Sequence, residues 1–143
     1  IASRNYLAVV HGSPKHNEGT IIKNIGRNPN DRKKYTVVEE NLGRYACTHW
    51  KLLERIGNYS LISFKLDTGR THQIRVHCAY IKHPIVGDPL YGRCKKIPCN
   101  LSGQALHANQ LGLIHPINGI EMVFKAELPY EFQKLLKTIK KIN

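Results

Sequence analysis

Apolar and polar positions alternate in short runs over most of the chain, and the period lengthens to that of a helix in two places. The clearest alternation is Tyr59–Leu66, where Ile62, Phe64 and Leu66 fall on one face and Leu61, Ser63 and Lys65 on the other. Gly57 and Asn58 make the tight reversal that leads into it from an imperfectly alternating run at 46–56. Residues 6–10 are a short apolar run ended by His11, Gly12, Ser13 and Pro14, which predicts a strand and a turn. A second strand is predicted over 20–25, between Gly19 and Gly26, and β-branched character resumes at 35–38. The stretch between, 27–34, combines turn residues with the cations Arg27, Arg32, Lys33 and Lys34 and is expected to be an exposed basic loop.

After a turn at Asp67, Thr68 and Gly69 the period changes. Thr71 is the expected N-cap of a helix through about residue 82, with Ile74, Cys78 and Ile81 on one face. Pro84 and Pro89 forbid its continuation, so 83–92 is predicted to be an ordered loop, and the aperiodic 95–103 a mobile one. Runs at 106–114 and 120–126 read as a pair of strands joined through Pro116 to Gly119. Pro129 suits a first helical position, with Glu131 in the first turn of a closing helix. Phe132, Leu135, Leu136, Ile139 and Ile142 form its apolar stripe, opposite Lys134, Lys137, Lys140 and Lys141. The expected fold is one α+β domain, a mostly antiparallel mixed sheet flanked by helices.

With 143 residues and 41% hydrophobic positions the chain can build one core without disulfides or metals. No apolar run reaches the roughly 18 residues of a membrane span. The cysteines Cys47, Cys78, Cys94 and Cys99 suit a reducing compartment, and the cytoplasm is the expected location. Cys94 and Cys99 lack a second pair at zinc-ligand spacing, so no metal is expected. Charge changes the picture more: 22 Lys and Arg against 10 acidic residues give +12, which attracts polyanions. Nucleic acid is the first partner class implied, ahead of an anionic membrane surface, for which the single Trp50 is a poor anchor. Solubility alone is the bland reading of the same charge.

The densest chemistry lies at 69–77, Gly69 to His77, followed by 83–92. Two arginines and two histidines stand there at a strand-to-helix junction, where free N–H groups and Arg70 favour an anion. Arg75 lies between Ile74 and Val76, and a guanidinium drawn into apolar surroundings needs a carboxylate or phosphate; its fork suits a carboxylate. A structural salt bridge or a solvated helix face satisfies the spacing equally well. His72 and His77 are five apart, which is not metal-ligand spacing on a helix, so both read as satisfied polar histidines.

The run from Gly69 to His77, with Gly87, Asp88, Leu90, Tyr91 and Gly92 after it, resembles the signature of RluA-type (ribosomal large-subunit) pseudouridine synthases. The match extends in order along the chain. Tyr6 to Gly12 resembles the family's strand with its active-site tyrosine, and Ile25 to Arg27, residues 31–34 and Ala46 to Thr48 match the segments between. Ala105 to Ala108 and Phe124 to Ala126 match the last strands. The resemblance implies isomerisation of uridine in RNA without a cofactor: the N-glycosidic bond breaks, the base rotates, and it rejoins the sugar through carbon. It makes Tyr6 the platform for the flipped base and Arg75 the partner of a nucleophilic aspartate. Arg70, Thr71, His72 and Gln73, with Arg27, Arg32, Lys33 and Lys34, are the expected RNA contacts. Large-subunit ribosomal RNA is the expected substrate, with transfer RNA the second candidate.

The family's aspartate belongs to a His-Arg-Leu-Asp run upstream of the Tyr6 strand, and no such run occurs in these residues. Asp31, Asp67 and Asp88 read as turn and loop residues. Residues 1–143 are therefore expected to be the C-terminal part of a catalytic domain, inactive alone and prone to self-associate through an edge left uncovered. The alternative is a noncatalytic basic RNA-binding module; a basic interaction protein without an RNA partner fits the ordered matches poorly.

Overall fold

The computed structural model describes residues 3–92, 96–99, 101–114 and 121–142. Cys94 and the turn expected at Pro116 to Gly119 lie outside them. Among the described residues, eight strands and two helices come in the order β1 (Ser3–His11), β2 (Glu18–Ile22), β3 (Ile25–Arg27), β4 (Tyr35–Val37), β5 (Cys47–Ile56), β6 (Tyr59–Leu66), α1 (Gln73–Tyr80), β7 (Leu106–Ile114), β8 (Glu121–Lys125) and α2 (Tyr130–Ile142). Six strands form one sheet in the order β2-β5-β6-β1-β7-β8, and β3 pairs with β4 in a small second sheet. Every described pairing is antiparallel, in keeping with the α+β fold expected from the sequence. The single strand predicted at 20–25 is two, because the chain leaves the main sheet after Ile22 and Ile25 begins the small hairpin against Val37.

β1 lies inside the sheet between β6 and β7, and its Ala8, Val9 and Val10 are all fully buried. Successive side chains of a strand point to opposite faces, so both faces there must be covered. On the Tyr6, Ala8 and Val10 side the register continues through Phe64 and Ile62 of β6 to Trp50 of β5, and α1 lies against it through Ile74 and Cys78. α2 is tied to the opposite face, where Lys140 lies 3.4 Å from Glu54, the cross-strand partner of Leu61. Its Phe132, Leu135 and Ile139 enter the core as the stripe predicts, while Ile142 remains exposed.

The loop after α1 is ordered by the end of β1. His11 N–H donates to the Pro84 carbonyl, Val86 N–H to Val9, and Ala105 N–H to Val86. Those bonds bring Asp88 and Tyr91 back beneath the start of α1.

Candidate active site

α1 begins at Gln73, later than predicted, and Thr71 does not cap it. The N-cap residue is His72, in the left-handed region at φ 56°, with no side-chain cap bond. Gln73 does the anchoring instead. Its Nε2 donates to the Cys47 carbonyl at 3.0 Å and to Thr48 Oγ1 at 2.8 Å, and its Oε1 accepts from Thr68 Oγ1 at 2.7 Å and from Arg70 N–H at 3.0 Å. With all four capacities used and 3% of its surface exposed, Gln73, an expected RNA contact, is placed inside the protein as an anchor of the helix. The chain of bonds continues in one direction. Thr48 Oγ1 accepts from Gln73 and so donates to His77 Nδ1 at 2.8 Å, and His77 Nε2–H donates to the Lys23 carbonyl at 3.0 Å. His77 is a satisfied core histidine, as expected, and burial holds its pKa below the ordinary value against the pull of that carbonyl.

This anchored helix start forms one wall of a cavity of about 160 Å³. Tyr6 and Arg75, the two residues expected to share the chemistry, both line it, with Arg4, Arg70, His72 and Leu106 among the other walls. Tyr6 is placed by a β-bulge: on the β7 side Asn5 pairs with Gln110 and Tyr6 with Ala108, which leaves Asn109 as the extra residue. Bulges re-aim a side chain and tighten the local twist. Arg4 lies so close over Gly69 that a Cβ there would overlap its guanidinium. Three guanidiniums and an aromatic ring around one small cavity make a site for a planar, anion-bearing ligand.

Arg75 already has a carboxylate partner. Its Nε and Nη2 donate to Asp88 Oδ2 and Oδ1, both at 2.8 Å, and Asp88 Oδ1 also accepts from the N–H groups of Leu90 and Tyr91. Asp88 is thus more than a loop residue: it is a carboxylate partner of Arg75 from within the chain. Burial pushes the Asp88 carboxyl up, but the Arg75 fork and the two N–H groups outweigh it and leave the group below the usual range. Arg75 Nη1 has no hydrogen-bond partner among the described residues. The Arg75 guanidinium lies 5.2 Å from the centre of the Tyr91 ring, and a Cβ at Gly92 would collide with the Asp88 carbonyl, so the fork sits on a tightly turned loop.

Tyr91 connects this centre to the basic hairpin. Its hydroxyl accepts from Tyr35 N–H at 2.9 Å and shares a hydrogen bond with His72 Nδ1, also at 2.9 Å. Burial first, and the neighbouring Arg75 charge second, hold the His72 pKa below its ordinary value. Tyr35 stacks edge-on against His72, and Arg27 donates to the Tyr35 hydroxyl at 2.9 Å and the Arg32 carbonyl at 3.0 Å. Arg27 thus organises the loop, while Arg32 and Lys33 are exposed on it and Lys34 is half-buried. Thr71 is exposed outside the cavity walls, and Arg70 lines the cavity with its Nε donating to the Tyr45 carbonyl at 2.7 Å.

Sequence reasoning missed Arg4, Asp88 and Tyr91. Arg4 carries no local signal, whereas Asp88 and Tyr91 belong to the 83–92 motif and look, in sequence, like parts of its loop. It also passed over a second cluster on the reverse face of β5, where Cys47 and His49 approach Asp67.

Residues 2–80 match the family model of RNA pseudouridylate synthases. The chain is 53% identical over 136 residues to an uncharacterized RNA pseudouridine synthase of Synechocystis sp., covering 94% of this chain and 42% of that one. It is 41% identical over 143 residues to ribosomal large subunit pseudouridine synthase D of Zymomonas mobilis, covering 96% and 45%. The solved structure of human RNA pseudouridylate synthase domain containing 1 superposes with a TM-score of 0.73 at 25% identity, over 96% of this chain and 65% of that one. The chain thus spans less than half the length of these two curated relatives, and from its ordered motifs, its sheet and its match over residues 2–80 it belongs to the RNA pseudouridylate synthase family.

Proposed function

We propose that these residues are the C-terminal part of the catalytic domain of an RNA pseudouridine synthase, whose nucleophilic aspartate is supplied by a segment outside them. The observation that carries the proposal is the common cavity of Tyr6 and Arg75, ringed by Arg4, Arg70 and His72. In this reading a uridine leaves its stack and settles on the Tyr6 ring, which restores the stacking lost on flipping. Arg4 and Arg70 meet the flanking phosphates, and the exposed Arg32 and Lys33 extend the contact along the RNA backbone.

Asp88 takes Nε and one terminal nitrogen of Arg75, which fixes the plane of the fork and leaves Nη1 for the incoming carboxylate. A guanidinium so held keeps that carboxylate ionised and oriented for attack. The reaction exchanges a nitrogen–carbon for a carbon–carbon bond; a proton leaves the base carbon and one returns to the freed nitrogen, with no change in oxidation state. Ribosomal RNA of the large subunit is the first substrate to test, as the name of the Zymomonas relative suggests, and transfer RNA the second. The cytoplasm is the proposed location; no described helix is long and apolar enough to cross a membrane. The outer strands β2 and β8 are the edges through which the isolated chain would self-associate.

The full-length protein, incubated with unmodified ribosomal RNA, is expected to convert a specific uridine to pseudouridine. Salt-dependent binding of the same RNA with no conversion of it, or of transfer RNA, would identify a binding module instead.

A further inference from the structure

On the face of β5 turned away from α1, three unlike side chains converge. Cys47 and His49 are two residues apart on one strand, which puts both on one face, and Asp67 comes directly after β6, opposite Cys47, its N–H bonded to the Cys47 carbonyl at 3.2 Å. Cys47 Sγ lies 3.6 Å from His49 Nε2 and 3.3 Å from Asp67 Oδ2, and those two atoms are 2.7 Å apart. We propose that Cys47, His49 and Asp67 form a binding site for a divalent metal of the zinc class, with a fourth position open to water.

The geometry fits closely. Ordinary zinc bond lengths at a tetrahedral angle separate sulfur from nitrogen or oxygen by about 3.5 Å, and nitrogen from oxygen by about 3.3 Å. Two of the three edges already have that length, and the third opens by about 0.6 Å between two half-exposed side chains. The ligand set of one thiolate, one imidazole and one carboxylate is one that zinc accepts. A partner that orients the imidazole is also in place, since Thr20 Oγ1 lies 3.0 Å from His49 Nδ1. When Nε2 binds metal the ring proton must sit on Nδ1, where Thr20 accepts it, and such partners hold ligating histidines in position. His49, with Thr20 and Lys65, also lines a groove of about 640 Å³, and His49 and Asp67 are both half-exposed. Without metal, the Cys47 thiol and His49 N–H both donate to Asp67 Oδ2. Binding displaces the thiol proton to solvent and shifts the imidazole proton to Nδ1.

The site would act as a clamp rather than in the reaction. Thr48, between the two strand ligands, is the residue that holds Gln73 and His77 of α1 on the other face.

The test uses the full-length protein, stripped with a chelator and titrated with cobalt(II), then zinc(II). One equivalent of cobalt should give the visible bands of four-coordinate cobalt with a sulfur charge-transfer band, and zinc should displace it. Cys47→Ser and His49→Ala should abolish the spectrum, and Thr20→Val should weaken binding about 10-fold. Should Cys47→Ser fail to fold, the half-exposed Asp67→Asn decides, since it keeps the shape and loses the ligand. No spectrum at millimolar cobalt, or one unchanged in His49→Ala and Asp67→Asn, overturns the proposal and leaves a hydrogen-bond cluster only.

Discussion

Replacing Asp88 with asparagine alters one oxygen and removes one charge, and the hydrogen bonds around it determine the cost. Asp88 Oδ1 accepts three donors, Arg75 Nη2 and the N–H groups of Leu90 and Tyr91, while Oδ2 serves Arg75 Nε alone. The amide oxygen of Asp88→Asn will therefore take the Oδ1 position, which turns its NH2 group against Arg75 Nε–H. One charge-assisted bond, worth about 1.5–3 kcal/mol, is lost. The guanidinium, 11% exposed, is left without its counter-charge. Breaking a buried pair costs about 3–5 kcal/mol, and the partial exposure of Arg75 places this case at the lower end, near 3 kcal/mol. Urea unfolding followed by circular dichroism measures it, in a cycle with Arg75→Met. In the Arg75→Met background Asp88→Asn should cost less than about 1 kcal/mol, because no cation remains to be stranded. If Asp88→Asn costs under about 1 kcal/mol in both backgrounds, the pair does not hold the loop and the argument for a fixed fork fails.

Gln73→Leu keeps the bulk at the start of α1 but removes the acceptor of the Thr68 hydroxyl and of the Arg70 N–H, and one of the two donors to the Cys47 carbonyl; a loss of about 3 kcal/mol in urea unfolding is expected, and a neutral result would refute the anchoring role. Gly69→Ala should displace Arg4 from the cavity and weaken RNA binding with little change in stability, measured by filter binding alongside thermal melting. His77 and His72 both have pKa values below the ordinary histidine value in the folded state. Above about pH 6.5 neither the folded nor the unfolded chain protonates them; below it the unfolded chain takes up protons that the folded chain declines. Their contribution is therefore present above about pH 6.5 and lost as the pH falls toward the folded values, by up to about 1.4 kcal/mol per pH unit for the buried His77 and by less for the partly exposed, solvent-screened His72. Stability from these groups that rises on acidification from pH 7 to 5 would contradict the burial argument.

Much of this architecture is legible in the amino-acid order, because it is written in local periods. The alternation at Tyr59–Leu66, the Gly57 and Asn58 reversal and the α2 stripe each depend on neighbours a few residues apart. Errors arise where a distant contact overrides a local preference. Thr71 has the better capping side chain, but the start of α1 is set by Gln73, whose partners Cys47 and Thr48 lie some 26 and 25 residues upstream on β5. His72 accepts a left-handed backbone because Tyr91, 19 residues on, fixes its ring. A half-buried Arg75 requires a carboxylate, and Asp88 stands only 13 residues on, yet nothing local says that its loop folds back beneath the helix. The same holds for Cys47, His49 and Asp67, which only the β5–β6 register brings together.

Tyr6 and Arg75 must act on one nucleotide in one cavity if these residues belong to a catalytic centre. Single-turnover conversion of uridine by full-length protein at saturating RNA, with Tyr6→Ala and Arg75→Ala, tests this most directly. Each substitution should lower the rate of conversion about 100-fold or more while RNA affinity stays within a few-fold. Rates unchanged in both variants would show that the chemistry lies elsewhere on the molecule.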